Sequence, residues 1–290
     1  MRLTRRSVLQ AGALLPWAGG ARAAPATRLV PLDLLLTECM LTLQIQPAAM
    51  ANIPLYQRLV MLPEVPGGVP ELGPQLEPNL ELLQSLRPDG ILAPNWQRAS
   101  LHRLERIAPV FWLPTFAPDG RPLDHAARLL LQIGALTGRE ALARDWVARA
   151  EPAFTDATEQ LAAQTTRPVF AIRFMEGGRH MAVFAGNGMV GAVMARLGLR
   201  NAWQGRTNIA GAASAGVEAL AQVPDARIIH FDRGAETARA LARLAESPFW
   251  QALPAVRDGR VQAMPVIYPS GGVFSAIRFA GQLAEHLPHG

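Results

Sequence analysis

"EPNLELLQSLRPDGILAP" (residues 77–94) is the stretch that decides the fold. Leu80, Leu82, Leu83 and Leu86 have helical spacing, Pro88-Asp89 stops the helix, and Ile91-Leu92 opens a short apolar strand. The same phrase of helix, Pro-Asp break and strand returns as "GVEALAQVPDARIIHF" (216–231). Upstream of the first copy, "TRLVPLDLLLTECMLTLQI" (27–45) reads as a buried strand running into an apolar helix, and "IPLYQRLVMLPEVPGGVPELGPQL" (53–76), rich in Pro and Gly, as mostly loop. Downstream, "RASLHRLERIAP" (98–109) reads as a helix and "VFWLP" (110–114) as a strand. Strands alternating with helices predict a parallel sheet covered by helices.

Between the two copies the chain changes character. Residues 124–163 are almost all helix formers, with breaks near Thr137-Gly138 and at Pro152, and Leu142, Trp146 and Val147 fall on one face. Alternation then resumes. "RPVFAIRFM" and "HMAVFA" are strands around a turn at 176–178, and "GMVGAVMARLGL" is a helix closed by Gly198. "RIIHF" and "RVQAMP" are further strands, while "TARALARLAESPFWQAL" and "GGVFSAIRFAGQLAEHL" are helices. The expectation is an α/β protein of two lobes, 24–138 and 165–290, joined by a long connecting helix over 139–164, with a ligand cleft between the lobes.

The first 23 residues read as a twin-arginine export signal: Arg5-Arg6, an apolar stretch from Val8 to Trp17, and Ala21-Arg22-Ala23 as the cleavage site. Arg2, Arg5, Arg6 and Arg22 leave with it, so 28 basic residues fall to 24 against 23 acidic ones. A mature balance of +1, with arginines spread among acids, excludes the clustered basic surface that nucleic acid requires. No apolar run is long enough to span a bilayer. The single cysteine, Cys39, allows no intramolecular disulfide and reads as a small buried hydrophobe.

Three motifs suggest chemistry that their surroundings do not support. "GNGMVG" (186–191) fits G-x-G-x-x-G, but it starts the second half and is followed by the polar "QGRTN" rather than by a strand ending in an acid. "AASAG" (212–216) fits a nucleophile elbow with Ala for the first Gly, but His230 lies in an apolar strand and His286 and His289 in the tail. The six histidines are scattered, so no metal-ligand set is expected.

"EPNLELL" (77–83), "RIAP" (106–109), "RHMAVF" (179–184), "NAWQGRTN" (201–208) and "SPFWQALPAVRDGRVQAMP" (247–265) occur in an order and at a spacing that resemble the periplasmic ferric hydroxamate-binding proteins, siderophore-binding partners of ABC importers. The resemblance runs from the signal to the last helix. It implies two α/β lobes on a helical backbone and a shallow cleft that reads the outside of a ferric chelate. No catalysis and no resident cofactor are implied, iron arriving only inside the siderophore.

The resemblance also implies site positions. The family Arg that hydrogen-bonds hydroxamate oxygens falls at Gln75, and a family Trp falls at Ala210. Aromatic positions near the C-terminus fall at Tyr268 and Ser270, and those after the strand of the opening phrase at Ala93 and Gln97, with Trp96 adjacent. Gln75, Trp96, Gln97, Arg173, Asn208 and Tyr268 are the candidate ligand residues, Arg173 supplying the cation that Gln75 lacks. Glu105 and Glu218 are the carboxylates expected to meet permease arginines, one on each lobe. The expected function is a monomeric periplasmic protein that captures a ferric siderophore of hydroxamate type for an inner-membrane ABC permease. The alternatives are another bulky chelate (a catecholate siderophore, heme or a cobalamin) or an exported hydrolase.

Overall fold

The computed structural model describes residues 28–162 and 167–287. The export signal at 1–23 and the last residues of the connecting segment lie outside the described residues.

The first lobe begins with β1 (Leu29–Pro31) and α1 (Leu34–Thr42). Asp33 caps α1, its Oδ1 accepting from Leu35 N at 2.8 Å and Leu36 N at 3.4 Å. Then come α2 (Ile53–Leu59), α3 (Leu80–Ser85), β2 (Gly90–Pro94) and β3 (Val110–Leu113). The three strands form a parallel sheet in the order β1-β2-β3, with Val30 opposite Ile91 and Ile91 opposite Val110. The central strand is buried along its whole length, as its unbroken apolar run requires.

Two helices follow. α4 (Pro122–Thr137) ends at Gly138 in the left-handed conformation, φ 69°. α5 (Glu140–Leu161) runs through Pro152 and is about 33 Å long. It carries the chain to the second lobe, with Trp146 and Val147 packed on the first-lobe core and Phe154 and Leu161 on the second-lobe core.

The second lobe contains β4 (Val169–Phe174), β5 (His180–Phe184), α6 (Met189–Arg196), β6 (Ala212–Gly216), β7 (Arg227–Asp232), α7 (Ala235–Ala245), α8 (Pro248–Ala252), α9 (Pro254–Arg257), β8 (Val261–Pro265) and α10 (Val273–His286). Its sheet has the order β6-β5-β4-β7-β8, with β4, β7 and β8 parallel and β5 and β6 antiparallel to their neighbours. Alternate residues of β4 divide the lobe into two cores. Val169 and Ala171 pack with α5, α6 and α10, while Phe170, Ile172 and Phe174 pack with Leu244 and Trp250.

Five local expectations are corrected. "RASLHRLERIAP" forms only a 3-10 turn, His102–Arg106, because its apolar residues Leu101, Leu104 and Ile107 recur every three positions, the period of that tighter helix. "GVEALAQV" likewise forms a 3-10 turn, Val217–Gln222. "TARALARLAESPFWQAL" is divided into α7 and α8, because Pro248 opens a new helix rather than continuing the old one, and Pro254 just beyond it opens α9. "AASAG" is the edge strand β6, and α2 is a helix within the stretch read as loop.

Candidate functional site

The lobes meet along a seam held by buried polar groups. Glu38, on α1, receives the N-terminus of α10: its Oε1 accepts from Gly272 N at 2.9 Å and Ser275 N at 3.2 Å, and its Oε2 accepts from Ser275 Oγ at 2.7 Å. Arg278, one turn on, donates to Val60 O at 3.2 Å and Val266 O at 2.7 Å, joining the end of α2 to the end of β8. Tyr268 packs between these elements, against the cores around α1 and α2. Burial, then Asp33 and Glu38, push its phenol well above the ordinary range, so it stays neutral.

Desolvation also raises Asp33 and Glu38 to about 6, outweighing the hydrogen bonds that favour their charged forms. Both pKa values are raised in the folded state, so the folded chain binds these protons more tightly than the unfolded chain. The stability they contribute is fully present below about pH 4 and is lost as pH rises to about 6. The urea midpoint of wild type minus that of Glu38→Gln, followed from pH 4 to 7, is expected to fall across this window. A difference that rises with pH would refute the assignment.

Beside this seam lies a cleft lined by both lobes. The first lobe contributes Leu35, Thr115, Phe116 and His125. The second contributes Asn187, Gly188, Ile209, Ala210, Ser270 and Gly271. His125 is held by its Nε2, 2.8 Å from Pro114 O, which fixes the loop leaving β3. On the opposite wall, Asn187 lies 2.9 Å from Thr207 Oγ1, joining two loops of the second lobe. Gly188 approaches the other wall loop so closely that an added Cβ would lie 2.5 Å from Ala210 O. Gly188 and Gly191 of "GNGMVG" therefore serve close backbone packing, Gly188 at the cleft wall.

The candidate ligand residues are distributed unevenly about this cleft. Trp96 stands at its rim, 51% exposed, with Nε1 3.3 Å from Thr115 Oγ1 and its ring 6.4 Å from that of Phe116. Ala210 and Ser270, the positions where the resemblance places aromatics, line it directly. Gln75 is half-buried with its Nε2 unpartnered. Gln97 is only 2% exposed, inside the first lobe. The Asn208 side chain is committed to its own loop, Oδ1 accepting from Ala210 N at 2.9 Å and Ala212 N at 3.0 Å. Arg173 lies outside the cleft lining, its guanidinium 6.0 Å from the Phe184 ring. Glu105 and Glu218 are exposed, each on a 3-10 turn of its own lobe, and Glu105 accepts from Trp112 Nε1 at 3.0 Å.

Thr115, Phe116, His125 and Asn187 were not among the sequence candidates. The usable signal was positional, since the first two follow β3 and Asn187 follows β5. Among the described residues no group of three or more His, Cys, Asp or Glu could hold a metal ion, and no helix is long and apolar enough to cross a membrane.

Comparison with known proteins agrees with this architecture. Residues 29–268 match the periplasmic binding protein family. The chain is 31% identical over 282 residues to the iron(3+)-hydroxamate-binding protein FhuD of Escherichia coli (strain K12), covering 96% of this chain and 94% of that protein. The structure of FhuD from Vibrio cholerae with bound Fe3+–Desferal superposes with a TM-score of 0.80 at 29% identity, covering 90% of this chain and 98% of that one. The triscatecholate siderophore-binding protein FeuA of Bacillus subtilis, complexed with ferri-bacillibactin, shares the fold alone, with a TM-score of 0.70 at 18% identity over 91% and 93% of the two chains. With its three-stranded parallel sheet, its five-stranded mixed sheet and the helix between them, the chain belongs to the periplasmic binding protein family.

Proposed function

We propose that the protein binds a ferric siderophore of hydroxamate type in the interlobe cleft, in the periplasm, and hands it to an inner-membrane ABC permease. The observation that carries this reading is the 31% identity to an iron(3+)-hydroxamate-binding protein across 96% of the chain. The cleft supports it: both lobes line it, and its rim carries Trp96, a large apolar face with a polar handle. A chelate whose iron is already wrapped needs from the protein surface complementarity and a few donors, not metal ligands. Binding proceeds without turnover. Glu105 and Glu218 are the docking carboxylates of this reading, one on each lobe.

Trp fluorescence tests it directly. Ferric Desferal is expected to quench saturably, iron-free Desferal to leave the signal flat, and Trp96→Ala to remove much of the quenching and weaken binding about tenfold. A flat response to ferric Desferal would sink the hydroxamate reading. Stronger quenching by ferri-bacillibactin than by any hydroxamate would transfer it to a catecholate.

A further inference from the structure

The residues lining the cleft include no Arg, Lys, Asp or Glu, and His125 is the one titratable side chain among them. His125 spends its Nε2–H on Pro114 O at 2.8 Å, and Asn187 Oδ1 is taken by the Thr207 hydroxyl at 2.9 Å. Two hydroxyls, one from each lobe, remain as donors. Thr115 is only 7% exposed, and its Oγ1 accepts from Trp96 Nε1 at 3.3 Å while its own proton has no acceptor among the described residues. The incoming bond polarises this hydroxyl and strengthens it as a donor. Ser270 lines the same cleft from the second lobe, and among the described residues its hydroxyl has no hydrogen-bond partner.

Behind one wall of the cleft stand carboxylates. Leu35 and Gly271 both belong to the lining. A Cβ on Gly271 would lie 2.9 Å from Glu38 Oε2, and Leu35 N donates to Asp33 Oδ1 at 2.8 Å. Both acids are buried, and among the described residues the one cation acting on Glu38 is Arg278, which also donates to two carbonyls. The other titratable groups around them, Tyr56, Cys39 and Tyr268, bring no positive charge. An anion in the cleft would therefore lose its water, meet no cation on the lining and lie in the field of these carboxylates. An uncharged chelate avoids all three penalties. A ferric trishydroxamate is one, since three monoanionic hydroxamates balance Fe3+ and leave their oxygens as acceptors.

We propose that the cleft selects chelates without net negative charge, the hydroxyls of Thr115 and Ser270 donating to the iron-binding oxygens from the two lobes and Glu38 repelling anions from behind Gly271. This rests on the ferric-chelate reading above and narrows its ligand class by charge.

Calorimetric titration with two ferric Desferal derivatives of identical iron centre tests it. Acetylation of the terminal amine makes the chelate electroneutral, and succinylation makes it a monoanion. At about pH 8, above the raised range of Asp33 and Glu38, and in low salt, wild type should bind the acetylated form about fivefold more tightly. Glu38→Gln, which removes the charge and keeps an acceptor, should bring that ratio close to one, whereas a loss of structure would weaken both forms alike. Thr115→Val and Ser270→Ala should each weaken the acetylated chelate about fivefold, and Thr115→Ser should keep the wild-type affinity. A succinylated chelate that binds wild type as tightly as the acetylated one overturns the selection. A ratio that survives Glu38→Gln overturns the role of Glu38, and wild-type affinity in both hydroxyl variants overturns the donor assignment. If neither chelate binds, the hydroxamate reading fails, and cyanocobalamin, which is electroneutral, is set against ferri-bacillibactin, a trianion. Binding of the first alone then supports the charge selection; binding of the second, or of neither, overturns it.

Discussion

Glu38→Ala should lower the free energy of unfolding by about 3–5 kcal/mol. The carboxylate is 1% exposed and accepts three hydrogen bonds from the first turn of α10. Truncation leaves Gly272 N, Ser275 N and Ser275 Oγ without acceptors in a site closed by Leu35 and Cys39, and it removes the charge facing Arg278. Neither lobe core loses an apolar side chain, so the damage is confined to the seam. Chemical denaturation followed by far-UV and near-UV signals measures it, and a loss below about 1 kcal/mol would mean that Glu38 is not the buried acceptor described here. Glu38→Gln should cost less, because the amide oxygen can still accept from the helix terminus.

Gly211→Ala should cost about 3 kcal/mol or more and remove ligand binding with it. Gly211 has φ 70°, and a Cβ there would run into the backbone N and Cα of Gly188 and lie 2.7 Å from Ala185 O. These are main-chain atoms of the loop leaving β5, so relief requires the wall containing Asn187, Gly188 and Ala210 to move. Gly198→Ala is the control: φ is 75°, but no atom lies within 4 Å of the added Cβ. It should cost only about 1 kcal/mol, the conformational term alone. Equal thermal midpoints for the two variants would show that the loops part freely.

The fold was legible wherever an apolar period ran unbroken. The opening phrase gave α3 and β2, and "RIIHF" gave β7, because consecutive buried residues set the strands and leucine spacing set the helix. β6 was missed for a physical reason. Ala212, Ala213, Ser214, Ala215 and Gly216 carry almost no apolar period, and the strand is held by pairing with β5, as in Ala182 opposite Ser214. The cleft was legible in part. Trp96, Ala210 and Ser270 came from aligned phrases, but Gln97 was placed by counting along a strand end where a 3-10 turn rotates it inward.

The contact between Glu38 and the start of α10 also bears on the order of assembly. It joins positions separated by 234 and 237 residues, whereas each sheet is built from one continuous part of the chain. Closing so long a loop is worthwhile only after both sheets have formed, so the seam is a late event in folding, on the native side of the barrier. Groups that act late leave the folding rate nearly untouched and govern how fast the native state opens. The buried carboxylate that joins the two lobes is thus a kinetic brake on their separation.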